Sequence, residues 1–187
     1  MQQKKILIVS LFLFVISACG GGGSSSETPQ QNSIIPAPSP TPPPSSVTSN
    51  LVAQAKGTIN GEMSYKGINR EFILYVPSSY DSSSKQPLVF NFHGYGSNAN
   101  EQMNYGDLRS QADVNGFILV HPEALYDIAG TSYWNMGGWP FSAHDDLEFI
   151  DNLINLLMDN YSVNAERIYA TGMSNGGFFS FHLACNL

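Results

Sequence analysis

The sequence predicts an α/β domain on a mostly parallel sheet, and three observations carry that prediction. Apolar runs at 87–92 (PLVFNF), 116–120 (GFILV) and 167–172 (RIYATG) read as strands covered on both faces. An amphipathic stretch at 145–160 lies between the second and third of them. From residue 87 the order is strand, helix, strand, loop, helix, strand, helix, the alternation that builds parallel sheets.

The chain has 187 residues, and its front end reads as address and tether. Residues 1–18 have a signal peptide's form: Lys4 and Lys5 precede an apolar run at 6–16. That run is shorter than the ~20 residues a spanning helix needs. Ile16-Ser17-Ala18-Cys19 resembles the bacterial lipobox, which implies diacylglyceryl attachment to Cys19 and export to a membrane, outer membrane or cell surface, with plain secretion as the alternative. Residues 19–51 form a tether: 20–26 are Gly and Ser only, and 29–46 hold seven prolines, one part flexible and the other extended. No fixed structure is expected before about residue 52. Residues 52–187 remain for one domain.

Once Lys4 and Lys5 are removed with the leader, six Lys and Arg face 15 Asp and Glu, a net charge of −9. So acidic a surface lacks the electrostatic attraction on which nucleic-acid binding depends, and excludes that partner class. With 42% hydrophobic and 12% aromatic residues, the chain has enough apolar surface for a core.

Within the body, 58–65 and 70–76 read as a hairpin joined by Gly67-Ile68-Asn69. A weaker helical pattern spans 100–114 through Met103, Leu108 and Ala112, interrupted by Gly106. An irregular stretch at 123–143 carries Trp134, Trp139 and Gly137-Gly138, a long loop of the kind that is more often functional than idle. The helix at 145–160 is the clearest element: Leu147, Ile150, Leu153, Ile154 and Leu157 share one face, and Asp145 with Glu148 suggests a capping box. A last helix is expected over 174–184.

Chemistry concentrates at two motifs. Gly172-Met173-Ser174-Asn175-Gly176 fits G-x-S-x-G where an apolar strand ends and a helix begins, the junction a nucleophile elbow requires. Gly172 and Gly176 would let strand and helix approach closely, and Ser174 would be the nucleophile, unless it only caps the helix. His93-Gly94-Tyr95-Gly96 has the H-G-x-G form that turns a backbone N–H into an oxyanion hole. Gly94 and Gly96 allow that turn, His93 is expected to brace it, and the Asn175 N–H would be the second donor. His93, His121, His144 and His182 have no metal-ligand spacing, so neither a metal nor a cofactor is expected. Asp145 and Asp146 read as a solvated helix N-terminus. Trp134 and Trp139 suit a substrate pocket or the loop's own core, and Cys185 a buried apolar position or half of a disulfide.

The stretches 90–96, 116–123, Trp134-Asn135, 146–150 and above all 167–177, with its GMSNGG, resemble the poly(3-hydroxybutyrate) depolymerase and feruloyl esterase branch of the α/β-hydrolases. The likeness runs from about residue 58 to the end. It implies an α/β-hydrolase fold, a serine carboxylic-ester hydrolase forming an acyl-serine at Ser174, and Tyr95 and Asn175 amides as oxyanion donors. The implied substrates are polymeric or plant-polysaccharide esters with hydroxyalkanoate, feruloyl or acetyl groups. The chain departs from that pattern after Ser174, where only thirteen residues follow and no triad Asp and His can be carried over. The expectation is therefore a fold truncated after the elbow helix, nearly inactive alone, with strand 167–172 left as a bare edge. Two other readings stay open: a non-catalytic polymer- or carbohydrate-binding surface lipoprotein, and a peptidase of the same fold.

Overall fold

The computed structural model describes residues 6–8, 47–137 and 144–187. Cys19, nearly all of the leader and tether, Gly138 and Trp139 lie outside the described residues.

The chain enters the domain through a hairpin. Strands β3 (Gly57–Tyr65) and β4 (Ile68–Val76) pair antiparallel without a slip, from Gly57 opposite Val76 to Tyr65 opposite Ile68. Their turn is Lys66-Gly67, at φ 51° and 75°, rather than Gly67-Ile68-Asn69. Two left-handed residues match the twist of the flanking strands and free Ile68 and Asn69 for the ladder. Gly61 lies opposite Phe72, whose ring would sit 2.3 Å from any added Cβ, so the aromatic covers the bare backbone. Regular pairing is also present before residue 52. A short β2 (Thr48–Ser49) pairs with Met63 and Ser64, and the Asn50 side chain accepts from Glu62 N–H at 2.8 Å. Val47 and Leu51 pack against the core, which offsets the ordering cost.

Strand β5 (Gln86–Phe92) follows, then two helices where one broken helix was expected. Asn98 caps α1 (Ala99–Tyr105), accepting from Glu101 N–H at 2.9 Å, and Gly106 ends it. Helix α2 (Arg109–Asn115) stops at Gly116, φ 67°. This left-handed cap, natural to glycine, is why β6 (Ile118–Pro122) starts two residues late and runs through His121. Helix α3 (Asp146–Asn160) is capped by Asp145, which accepts from Glu148 N–H. The capping box is half made, because the Glu148 carboxylate pairs with Lys66 instead. Strand β7 (Val163–Gly172) and helix α4 (Asn175–Asn186) complete the order.

The sheet runs β1-β7-β5-β6-β4-β3-β2, where β1 is Ile6–Ile8. It is parallel from β1 to β6 and antiparallel from β6 to β2, so the parallel half holds the predicted α/β units and the hairpin supplies the rest. Strand β1, which lies in the leader, pairs with Ile168–Ala170 along the outer edge of β7, an edge that removal of residues 1–18 would leave bare. Unpaired N–H and C=O groups on a strand edge readily take up another strand. Leu88, Phe90, Phe92, Ile118, Val120, Ile168 and Ala170 are buried at the sheet's centre, and Phe149, Ile150, Leu153, Ile154 and Leu157 belong to the same core.

One polar cluster lies inside. Asn91 accepts from Gln102 Nε2 at 2.9 Å, donates to Gly106 C=O at 3.1 Å, and has its amide nitrogen 3.4 Å from His121 Nε2. His121 is fully buried and its Nδ1 has no partner among the described residues. Burial, with a smaller push from the Arg109 charge, lowers its pKa to about 4. Between pH 6.5 and 4 the unfolded chain therefore binds a proton that the folded chain refuses, and stability falls as pH falls. Urea titrations at pH 7 and pH 4.5 should show the wild type losing up to about 2 kcal/mol more than His121→Gln; equal losses would refute this.

Candidate active site

The corner between β7 and α4 is built from backbone contacts. A Cβ on Gly172 would lie 2.6 Å from the Phe92 carbonyl oxygen, and one on Gly176 would lie 2.4 Å from both the Phe92 and His93 carbonyl oxygens. No side chain fits at either place, so α4 sits directly on the end of β5. Met173 N–H donates to Phe92 C=O at 3.1 Å, and Phe178 N–H to Ser174 C=O at 3.0 Å. Between these anchors Ser174 takes φ 49° and ψ −115°, a conformation costing a non-glycine residue about 1–3 kcal/mol. Its side chain makes no cap hydrogen bond, it is exposed, and its Oγ has no partner among the described residues.

The 93–97 loop runs alongside. A Cβ on Gly94 would stand 3.1 Å from Met173 Cε and 3.7 Å from Ser174 Cβ. Gly96, at φ 73°, donates its N–H to Ser132 C=O at 2.8 Å. His93 is fully buried. Its Nε2 accepts from Ala124 N–H at 3.1 Å, which leaves the proton on Nδ1, 2.8 Å from Gly94 C=O. The ring thus braces the loop. The N–H groups of Tyr95 and Asn175 make no hydrogen bond among the described residues.

Several contributors escape a reading of the sequence. The Asn175 side chain grips Trp134 by both backbone groups: Oδ1 accepts from Trp134 N–H at 2.8 Å, and Nδ2 donates to its C=O at 3.3 Å. Trp134 Nε1 donates to His93 C=O at 3.0 Å. Its ring, fully buried, stacks on Phe179 with centroids 5.0 Å apart, so Trp134 is loop core. Asp146 is not a solvated helix end. It is buried, 2.7 Å from Arg70 Nη2, and its Oδ2 accepts from Asn135 N–H at 2.7 Å. Burial pushes its carboxyl upward against the pull of Arg70. Arg70 in turn lies 3.7 Å over the Phe149 ring. The signal in the sequence was a lone Arg on an apolar strand face, whose partner lies 76 positions away.

Tyr95, Tyr133, Trp134, Met136, Gly137 and Asn175 line a cleft of about 360 Å³. No described imidazole bonds to Ser174. His182 stacks against Phe179 and places Nδ1 3.5 Å from Asn186 Nδ2; with His144 it borders a second hollow, of about 350 Å³. Cys185 is an exposed free thiol, because it falls on the outer face of α4, so the buried reading does not hold.

The contacts at the corner discriminate between neighbouring glycines. Gly176→Ala should unfold the domain or lower its melting temperature by more than about 10 °C, since the obstacle is backbone on both sides. Gly177→Ala meets only Gly172 C=O at 3.1 Å and should cost a few degrees. Thermal denaturation of the two variants decides, and equal shifts would contradict the geometry.

No family model matches the chain. Among curated proteins it is 30% identical over 153 residues to a probable feruloyl esterase C of Aspergillus terreus, covering 75% of this chain and 52% of the relative. It is 29% identical over 125 residues to a bifunctional acetylxylan esterase/xylanase of Neocallimastix patriciarum, covering 67% and 17%. The chain thus spans about half, or less, of the curated relatives it matches. Among solved structures, an S-formylglutathione hydrolase from Agrobacterium tumefaciens superposes with TM-score 0.55 at 20% identity, over 73% of this chain and 55% of that one. A thermostable esterase gives 0.52 at 23%, over 67% and 36%. At these identities the structures speak for the fold alone. The mixed sheet with its strand–corner–helix junction has an α/β-hydrolase-like fold, and in sequence the chain is similar to feruloyl and acetylxylan esterases.

Proposed function

We propose that this chain carries the nucleophile and oxyanion groups of an exported serine esterase acting on acyl esters of polymeric substrates. The observation that carries the reading is the corner at Ser174: an exposed hydroxyl on a strained backbone, next to a loop whose Tyr95 N–H is uncommitted and followed at once by the uncommitted Asn175 N–H. In the reaction Ser174 Oγ attacks the ester carbonyl, and the two amides receive the oxygen that gains negative charge. The alcohol then leaves and water releases the acyl group from the serine. His93, bonded to Ala124 N–H and Gly94 C=O, and His121, beside Asn91, are committed elsewhere and are not the base that takes the Ser174 proton. The relatives named as feruloyl and acetylxylan esterases support an acyl ester on plant polysaccharide as substrate; a polyhydroxyalkanoate ester would share the chemistry. The leader ending at Cys19 supports export and lipid anchoring, with 19–51 as spacer for the domain at 52–187.

The corner can be tested without its base, because a thiol is already a competent nucleophile and is further activated at a helix N-terminus. The whole chain carrying Ser174→Cys, mixed with p-nitrophenyl acetate, should take one acetyl group at position 174 at least about tenfold faster than at Cys185. Intact mass and peptide mapping read the result, and preferential acetylation of the exposed Cys185 would overturn the assignment. The anchor has its own test: Cys19→Ser should move the protein from the membrane to the soluble fraction of its expressing cells, and unchanged fractionation would remove lipid attachment from the proposal.

A further inference from the structure

Two consecutive residues hold both ends of the loop that carries Tyr95. Strand β6 ends at Pro122 beside β5, its parallel neighbour, so Glu123 and Ala124 emerge next to the chain that leaves β5 at His93. At the near end Ala124 N–H donates to His93 Nε2 at 3.1 Å. At the far end Glu123 Oε2 accepts from Ala99 N–H at 2.7 Å, where α1 begins. Ser132 ties the middle: its C=O accepts from Gly96 N–H at 2.8 Å, and its hydroxyl donates to Ser97 C=O. Glu123 is committed to its place by its own backbone. Its N–H donates to Glu71 C=O at 2.9 Å, and its C=O accepts from Arg70 Nη2 at 3.2 Å. The carboxylate reaches Ala99 at a cost, because Oε1 is buried with no hydrogen-bond partner among the described residues, 3.4 Å from a His93 Nε2 already taken by Ala124. A buried acceptor left unpaired is expensive and calls for an explanation. Packing does not supply one, since an apolar side chain would avoid the cost; the grip on Ala99 does.

We infer that Glu123 is a positioning residue for the oxyanion loop: by fixing Ala99 while Ala124 fixes His93, it sets where the Tyr95 N–H points. The inference rests on the reading of Ser174 as nucleophile and deepens it by naming what holds the first oxyanion donor. Residues 94–98 span the two fixed ends, and Gly94 and Gly96 leave that span free to turn. Its amides therefore stay aimed only while both ends are held. Aim matters because a donor acts on the charged oxygen at hydrogen-bond distance and loses most of its effect when displaced.

Two reactions at one thiol give the test. In the full chain carrying Ser174→Cys, the thiolate attacks the carbonyl of p-nitrophenyl acetate, the carbonyl oxygen gains negative charge, and nitrophenolate leaves. With iodoacetamide the same thiolate displaces iodide at a saturated carbon, and no oxyanion forms. Adding Glu123→Ala should slow acetylation at position 174 at least about tenfold while alkylation there stays within about twofold. Glu123→Gln, whose amide oxygen still accepts from Ala99 N–H, should recover acetylation to within about threefold of the parent. Hydrogen exchange reads the loop directly: with Glu123→Ala the Gly96 N–H should exchange at least about tenfold faster, and Phe90 N–H, in the middle of β5, at an unchanged rate. An equal fall of acetylation and alkylation, no recovery with Glu123→Gln, or unchanged exchange at Gly96 would overturn the inference. Its failure is separable from failure of the proposed function. Preferential acetylation at position 174 that Glu123→Ala leaves untouched keeps the nucleophile and removes only the positioning role. No preferential acetylation there in the parent chain removes both.

Discussion

The contact between the end of β5 and the start of α4 is the constraint on which the candidate site depends. Because the Phe92 and His93 carbonyl oxygens approach positions 172 and 176 to within the space of a Cβ, the chain must turn between strand and helix with almost no slack. The turn forces Ser174 to a positive φ and pushes its side chain outward, away from the helix it would otherwise cap. Strain at this residue is sustained by everything that holds β7 against β5, from Leu88–Ile168 pairing to the burial of Phe92 and Phe179. A local distortion of about 1–3 kcal/mol persists only where its surroundings leave no alternative.

Around that corner, polar groups inside the domain act as fasteners. His93 ties the 93–97 loop to Ala124, Asn175 ties the corner to Trp134, and Asp146 ties Asn135 to Arg70 on the hairpin. The last two ties meet at the short segment Trp134-Asn135, and Trp134 Nε1 also donates to His93 C=O, so β4, the end of β5, α3 and α4 are all linked to that segment. Buried charge is a poor source of net stability, and the Arg70–Asp146 pair is better understood as a locator: it fixes where α3 begins relative to the loop. A loss at any tie would be felt at Ser174 as misplacement.

Much of the fold could be read ahead of any coordinates because burial leaves a local trace. The apolar runs at β5, β6 and β7 and the three-and-four spacing in α3 each lie within a few consecutive residues, and the glycines of G-x-S-x-G mark the corner by themselves. Errors cluster where two local solutions were close in energy. The hairpin turn moved to Lys66-Gly67 because a lysine tolerates a left-handed conformation when two extra ladder pairs follow, and the 100–114 helix broke at Gly106 into two. Regular pairing appears before residue 52 because Asn50 found a partner in β3, twelve residues on.

Residue order determined the strands, the clearest helix and the glycine-flanked serine, since those depend on neighbours three or four positions apart or fewer. Tertiary structure alone decided that the Asn175 side chain holds Trp134, that Asp146 is buried against Arg70, that Cys185 faces outward, and that the buried Tyr133 hydroxyl has no partner among the described residues. Hydrogen bonds and ion pairs between residues 41 or 76 positions apart leave no periodicity in a sequence. Only the packing of the layers decides whether a polar side chain meets a partner, water or nothing.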